Sequence, residues 1–280
     1  MGQQPIYLLV FYTEGFPHDE GYDLSKTSND IKRVLSGVFT DIFDFTPRKL
    51  KKIPGSDNFC NSFGSELLLN PGLDKVGNGD FKSFLIHHLL KKIPENSILI
   101  YHDSNFEKYP QYWQTDWIRI RDTCNFLMDS NSSDFFIPWE ERNFKGGFPL
   151  VKHFGKRYTT EFFFPEPKIR NIIEDSPMIT SNRIIIRNTS ESRKFFHDYN
   201  HINENKDLLS KWPNPSPHPE FIHHCPEQHT LNLLVYKYIL DGKLEPTFPK
   251  FRFLHRKMRL DDSLEEYQNL PLLNYIKSKK

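Results

Sequence analysis

The residues of this chain best suited to chemistry are Asp103-Ser104-Asn105, which follow His102 and the short apolar run Ser97-Ile-Leu-Ile-Tyr101. Hard divalent cations take oxygen ligands, and Mg²⁺ or Mn²⁺ is commonly held by one or two carboxylates together with substrate phosphates. At a strand end, side chains at i and i+2 converge on one ion. Asp103 and Asn105 are therefore a candidate pair, one charged and the other offering a neutral carbonyl oxygen. Asp, Ser and Asn are also turn formers, so a strand-terminating turn is the competing reading.

A second concentration is His223-His224-Cys225-Pro226-Glu227-Gln228-His229-Thr230-Leu231-Asn232. His, Cys and Glu crowded together raise the question of zinc. The spacing argues against it: His223 and His224 are adjacent, the cluster holds no Cys-x-x-Cys or His-x-x-x-His pair, and Pro226 interrupts the helix a zincin pair needs. Proline suits the first position of a helix, which puts Glu227 in a first turn, where the dipole favours an ionised carboxylate. Such a group is a candidate general base or charge stabiliser. Glu227 and Gln228 as ordinary first-turn residues, with His229 solvated, is the alternative. A third group is basic, Arg252-Phe-Leu-His255-Arg256-Lys257, and reads either as a solvated surface or as cations that approach a diphosphate. Lys82, beside Asp80, is a similar phosphate candidate.

Several elements must position these residues. Ile6–Phe11 reads as a strand, Leu24 to about Gly37 as a helix, and Val38–Phe45 as a second strand with Asp44 near its end. Asp80 is placed to cap a helix in which Phe81, Phe84, Leu85, His88 and Leu89 share one buried face. Lys91 and Lys92 fall in its last turn and Pro94 stops it. The run 97–101 has the pattern of a strand covered on both faces. This alternation predicts a parallel α/β sheet, and in open sheets of that kind ligands bind just outside the carboxyl ends of the strands. From Glu107 to about Pro177 the pattern is irregular, with Gly146-Gly147 among aromatics and charges, as in substrate-recognising regions. Asn182–Arg187 reads as a further strand, Ser190 as the cap of a helix carrying Phe195, Phe196, Tyr199 and Ile202, and Trp212–Pro219 as a loop. The helix from Pro226 carries Leu231, Leu234, Val235, Tyr238 and Ile239 inward, and a short tail ends the chain.

At 280 residues the chain can bury a sizeable core. A formal net charge of +1 gives no basic surface for phosphodiester backbones, which argues against nucleic acid. No run of about eighteen apolar residues occurs, so no membrane insertion is expected, and the N-terminal residues lack the pattern of a signal peptide. Cys60, Cys124 and Cys225, odd in number and widely spaced, suit reduced thiols; the expectation is a soluble cytoplasmic protein. Alanine is absent and phenylalanine numbers 25, which reads as bulky core filler more readily than as sugar-stacking surface.

In order, these pieces resemble the GT-A class of nucleotide-sugar glycosyltransferases. Ile6–Glu14 with Ser25–Asp44 resembles a first nucleotide-binding βαβ unit. Gly79–Ile86 followed by Ile98–Asn105 resembles a Gly-Tyr-Trp-x-x-Lys-Pro helix and a strand ending in an Asp-x-Asp motif or variant. Met178–Phe195 is similar to the strand before an acceptor-side helix, and Pro226–Asn232 to an Asp-Gln-x-x-Leu-Asn helix start. The resemblance implies one GT-A domain: a Rossmann-like, mostly parallel sheet flanked by helices, with 1–106 binding the nucleotide sugar, 107–260 the acceptor and catalytic part, and 261–280 a tail. It implies donor contacts from Tyr12, Thr13, Asp44, Asp80, Lys82, Asp103 and Ser104, a Mn²⁺ or Mg²⁺ ion at Asp103, Asn105 and His255, and Glu227 with Gln228 near the reacting sugar carbon. Asn105 for a carboxylate implies weaker metal binding or none, and Glu227 for Asp adds one methylene of reach. The chain also resembles glycosyltransferases of large algal viruses, which implies UDP-xylose as donor, an oligosaccharide acceptor bearing fucose, and inversion to a β-xyloside. Two other readings are a degenerate fold that binds a glycan without catalysis, and a zinc-dependent hydrolase using His223–His229.

Overall fold

A computed structural model describes residues 4–11, 39–57, 59, 79, 81–103, 124, 134–136, 149–209, 218–222, 225–244, 251–254, 257–260 and 271–279. The expected helix at 24–37, and Tyr12, Thr13, Asp80, Ser104, Asn105, Gly146, Gly147, His223, His224 and His255, lie outside these residues. The chain divides into two units, Met1–Phe136 with Asn182–Glu204, and Ile137–Ser181 with Asn205–Lys280.

The first unit is an α/β fold on a mixed, mostly parallel sheet. Its strands are β1 (Ile6–Phe11), β2 (Asp41–Phe45), β3 (Ile98–Asp103), β4 (Phe135–Phe136) and β5 (Arg183–Arg187), in spatial order β2-β1-β3-β5-β4. β1 pairs in parallel with β2 and β3, while β5 runs antiparallel to both β3 and β4. Among the described strands only β5 is reversed, an arrangement compatible with a Rossmann-like sheet. Leu8, Leu9, Ile98, Leu99 and Ile184 are fully buried, as near-continuous apolar runs require when both faces of a strand are covered. β2 lies at one edge and exposes Asp41 there, a charge that discourages pairing with another chain. β3 runs two residues further than the apolar pattern indicates and takes in His102 and Asp103, because Phe11 and Asp103 are still in register.

The helix Phe81–Leu90 departs from the expected single buried stripe. Lys82, Ser83 and Ile86 are buried together with Phe81, Phe84, Leu85, Leu89 and Leu90, and His88 is only partly covered. It ends at Leu90, so Lys91 and Lys92 form the turn rather than the last helical turn. A buried asparagine shapes that turn. Asn188 Nδ2 donates to the carbonyls of Ile93 at 2.9 Å and Pro94 at 3.0 Å, and its backbone pairs with Asn96 and Ser97. Asn96 takes a φ of 63°, a left-handed conformation that asparagine tolerates better than most residues.

The helix Ser190–Glu204 packs against Phe81–Leu90 and buries Phe195, Phe196 and Tyr199. Its cap is Thr189 rather than Ser190. Thr189 Oγ1 accepts from the Ser192 N–H at 3.2 Å, and Ser192 Oγ accepts from the Thr189 N–H at 2.9 Å, a reciprocal arrangement that satisfies two orphan donors.

The second unit is helical where the sequence looks irregular, with helices Val151–Phe154, Arg157–Phe163 and Pro167–Glu174. β6 (Phe251–Leu254) and β7 (Lys257–Leu260) pair as an antiparallel hairpin, and Pro271–Lys279 forms a helix where a tail was expected. The helix Pro226–Leu240 starts as predicted, with Cys225 at the cap and proline at the first position. It is buried on nearly every side: Glu227, His229, Thr230, Asn232, Leu233 and Tyr236 are covered in addition to the predicted apolar stripe. His229 is fully buried rather than solvated, and its Nε2 lies 3.2 Å from Thr160 Oγ1. No helix among the described residues is long and apolar enough to cross a membrane, and neither Cys124 nor Cys225 forms a disulfide.

Gly155 closes this packing. Its φ of −126° and ψ of 146° suit any residue, so the requirement for glycine is one of space. A Cβ there would lie 2.0 Å from His229 Cε1. Gly155→Ala is therefore expected to destabilise the protein by about 1–3 kcal/mol or more, and to cost less in a His229→Ala background. Urea melts of the four proteins of this double-mutant cycle measure the coupling; additive effects would contradict the close approach.

Two histidines make the fold acid-sensitive. Burial lowers the pKa of His229 to about 3. Burial, with Lys91, His197 and His88 nearby, lowers that of His87 to about 4. Both bind a proton more readily when unfolded, so their stabilisation is complete above an ordinary imidazole pKa of 6.5 and is lost as pH falls through it. At pH ~4 the His229 share of this loss is on the order of 3 kcal/mol. Urea midpoints between pH 7 and pH 4 should fall accordingly, with a shallower slope in His229→Gln.

Candidate functional site

Asp103 ends β3, beside the last residue of β1, with which it is in register. Its backbone is fully engaged: its N–H donates to the Asn182 carbonyl at 2.9 Å, and its carbonyl lies 2.7 Å from His102 Nδ1. The carboxylate is what this strand end presents. Tyr101, two residues earlier and so on the same face of the strand, donates its hydroxyl to Asp103 Oδ1 at 2.6 Å. Lys82 Nζ approaches the same oxygen at 3.3 Å and lies 5.4 Å from the centroid of the Tyr101 ring.

Local packing dictates this convergence. The helix Phe81–Leu90 returns through a tight turn into β3, so its first turn lies at the sheet edge where β1 and β3 end. Phe81 stacks on Phe11 with ring centroids 3.8 Å apart, which seats that turn and directs Lys82 at Asp103. The Lys82 side chain is 10% exposed and that of Asp103 is 32% exposed, so the carboxylate is the more reachable member of the pair. Asp44, the other described acid expected here, lies one residue before the end of β2, and its carboxylate is bound by Lys49 Nζ at 2.7 Å.

In the second unit, Glu227 is buried in the first turn of its helix and accepts from Ser181 Oγ at 2.5 Å. Gln228 Nε2 donates to the Ile179 carbonyl at 2.8 Å. Asn232 binds both backbone groups of the same residue: Oδ1 accepts from the Ile179 N–H at 2.6 Å, and Nδ2 donates to the Ile179 carbonyl at 3.0 Å. Tyr236 donates its hydroxyl to the Pro177 carbonyl. Gln228, Asn232 and Tyr236 recur every four residues on one helix face and lace the segment 177–181 to it, leaving Ser181 facing Glu227.

Whether these residues suit a divalent cation follows from the donor set. A carboxylate oxygen has about two lone-pair sites, and Oδ1 of Asp103 already meets a hydroxyl donor and an ammonium. A Mg²⁺ ion about 2.0–2.1 Å from that oxygen would crowd a like charge. Among the described residues no cluster of three or more His, Cys, Asp or Glu side chains could hold a metal. Of the three expected ligands the described residues include Asp103 alone, and its Oδ1 already meets a hydroxyl and an ammonium.

The chain matches no family model, no curated protein and no solved structure. A functional reading thus rests on the two constellations themselves. The sequence pointed to Lys82, Asp103, Glu227 and Gln228. It passed over Tyr101, Ser181 and Asn232. The i, i+2 spacing of Tyr101 and Asp103 was a visible signal, whereas nothing in the chain announces the pairing of Ser181 with Glu227.

Loss of the Asn232 amide leaves the buried N–H of Ile179 without its acceptor. Asn232→Ala should therefore lower stability by about 1–3 kcal/mol. Gln228→Ala should cost less, because Asn232 still serves the Ile179 carbonyl. Thermal or urea unfolding of the two variants orders them; equal losses would contradict this division.

Proposed function

We propose that this protein is a GT-A nucleotide-sugar glycosyltransferase. The observation that carries the reading is the placement of Asp103: a reachable carboxylate at the carboxyl end of a buried parallel strand, braced by Tyr101 and by Lys82 from the first turn of the preceding helix. Ligands of open α/β sheets bind outside the carboxyl ends of their strands, and helix N-termini favour anions. In this reading Asp103 contacts the donor's ribose and Lys82 offsets the charge of its diphosphate. The acceptor hydroxyl oxygen attacks the anomeric carbon, its proton passes to a carboxylate base, and the bond to the diphosphate breaks with its electron pair leaving on UDP. Glu227, taken from the second unit by itself, is the candidate for that base. A positioned base contributes on the order of 10²–10⁴-fold. UDP-xylose is the first donor to test, with a fucose-bearing oligosaccharide as acceptor.

Burial of Glu227 favours a second reading, a glycan-binding module on the same fold in which Glu227 and Ser181 only tie the 177–181 segment to the helix. A thermal-shift screen of UDP- and GDP-sugars, followed by a transfer assay, separates the two. A true donor should raise Tm by mass action, Asp103→Ala should abolish the shift, and Glu227→Gln should keep the shift while transfer falls by ~10²-fold or more. A Tm that no nucleotide sugar moves would count against the transferase, and glycan binding without nucleotide binding would favour the module.

A further inference from the structure

The Lys82 ammonium stands beside Oδ1 of Asp103, the described carboxylate of the expected metal site. Both side-chain contacts of Asp103 fall on Oδ1, from the Tyr101 hydroxyl at 2.6 Å and Lys82 Nζ at 3.3 Å. The lysine is held there from several sides: its residue is buried, its neighbour Phe81 stacks on Phe11, and its amine lies over the Tyr101 ring. A cation that already neutralises the carboxylate lowers the site's attraction for a free divalent ion. It also places a fixed positive charge at the N-terminal turn of a helix, where anions are favoured. Lysine serves phosphates as a point charge and needs no set coordination geometry.

We propose that this site binds its nucleotide diphosphate without a metal, the Lys82 ammonium taking the electrostatic role of Mn²⁺ or Mg²⁺. The inference rests on the nucleotide-sugar reading above and replaces the metal that the Asp-x-Asp resemblance implies. Within it Asp103 is a positioning residue for Lys82 as well as a contact for the ligand. Substitution of Asp103 therefore loosens the ammonium in addition to removing a carboxylate.

The test is calorimetric titration of the full chain with UDP, in excess EDTA and again with Mn²⁺, alongside Lys82→Met and Lys82→Arg. Wild-type affinity should agree within ~2-fold between the two conditions, and Lys82→Met should bind ~10-fold or more weakly in both. Lys82→Arg retains the charge and should bind more tightly than Lys82→Met, again without Mn²⁺. Circular dichroism checks that each variant is folded; if Lys82→Met is not, the wild-type comparison and Lys82→Arg decide. UDP binding that requires Mn²⁺ would overturn the inference while leaving the nucleotide reading intact. Unchanged affinity in a folded Lys82→Met would overturn it as well. No UDP binding in either condition would remove the nucleotide reading and this inference together.

Discussion

Burying a lysine ammonium at the rim of a sheet is costly unless a carboxylate meets it, and the first unit is organised around that requirement. Lys82 reaches Asp103 only if the first turn of its helix stands over the end of β3, and the stacking of Phe81 on Phe11 holds it there. The other end of the helix is fixed by Asn188, which takes the carbonyls of Ile93 and Pro94 and pairs through its backbone with the start of β3. Pinned at both ends, the helix has little freedom to slide along the sheet. Of the pair, the Asp103 carboxylate is the more exposed, and the Lys82 ammonium lies beside it with a smaller share of its surface open.

The second unit solves a related problem. A helix buried on nearly every side carries Glu227, Asn232 and Tyr236 into its surroundings, and each must find a partner there. Ser181 meets Glu227, Ile179 meets Asn232 through both of its backbone groups, and Pro177 meets Tyr236. The amide of Asn232 thus gives Ile179 the pair of bonds that a neighbouring strand would supply. His229, with its ring against Gly155, completes the packing on another side.

Much of the sheet was legible because fully buried strands leave a mark: Ile6–Phe11, Ile98–Tyr101 and Ile184–Ile186 are unbroken apolar runs. The reversal of β5 leaves no mark, since a buried antiparallel strand has the same composition as a parallel one. Helix periodicity misled at Phe81–Leu90 and Pro226–Leu240 for a common reason. The spacing marks an apolar stripe and carries no signal for the opposite side, where Lys82, Glu227 and Asn232 are buried beside partners distant in sequence. The cap moved from Ser190 to Thr189 because Ser192 can answer Thr189 three residues on. The helices between Val151 and Glu174 were missed because each is short and two open on or near proline.

Of the candidate site, single residues were readable and their companions were not. Asp103 stood out as an acid after an apolar run, and Lys82 as a cation in a first turn; that the two are one ion pair is a property of the fold. The proposed function depends on that pair meeting a diphosphate. The most direct measurement is a crystal structure of the full chain soaked with UDP in EDTA. Phosphate oxygens are expected within hydrogen-bonding distance of Lys82 Nζ at the end of β3. UDP bound elsewhere, or a diphosphate at that strand end turned away from Lys82, would contradict the proposed function.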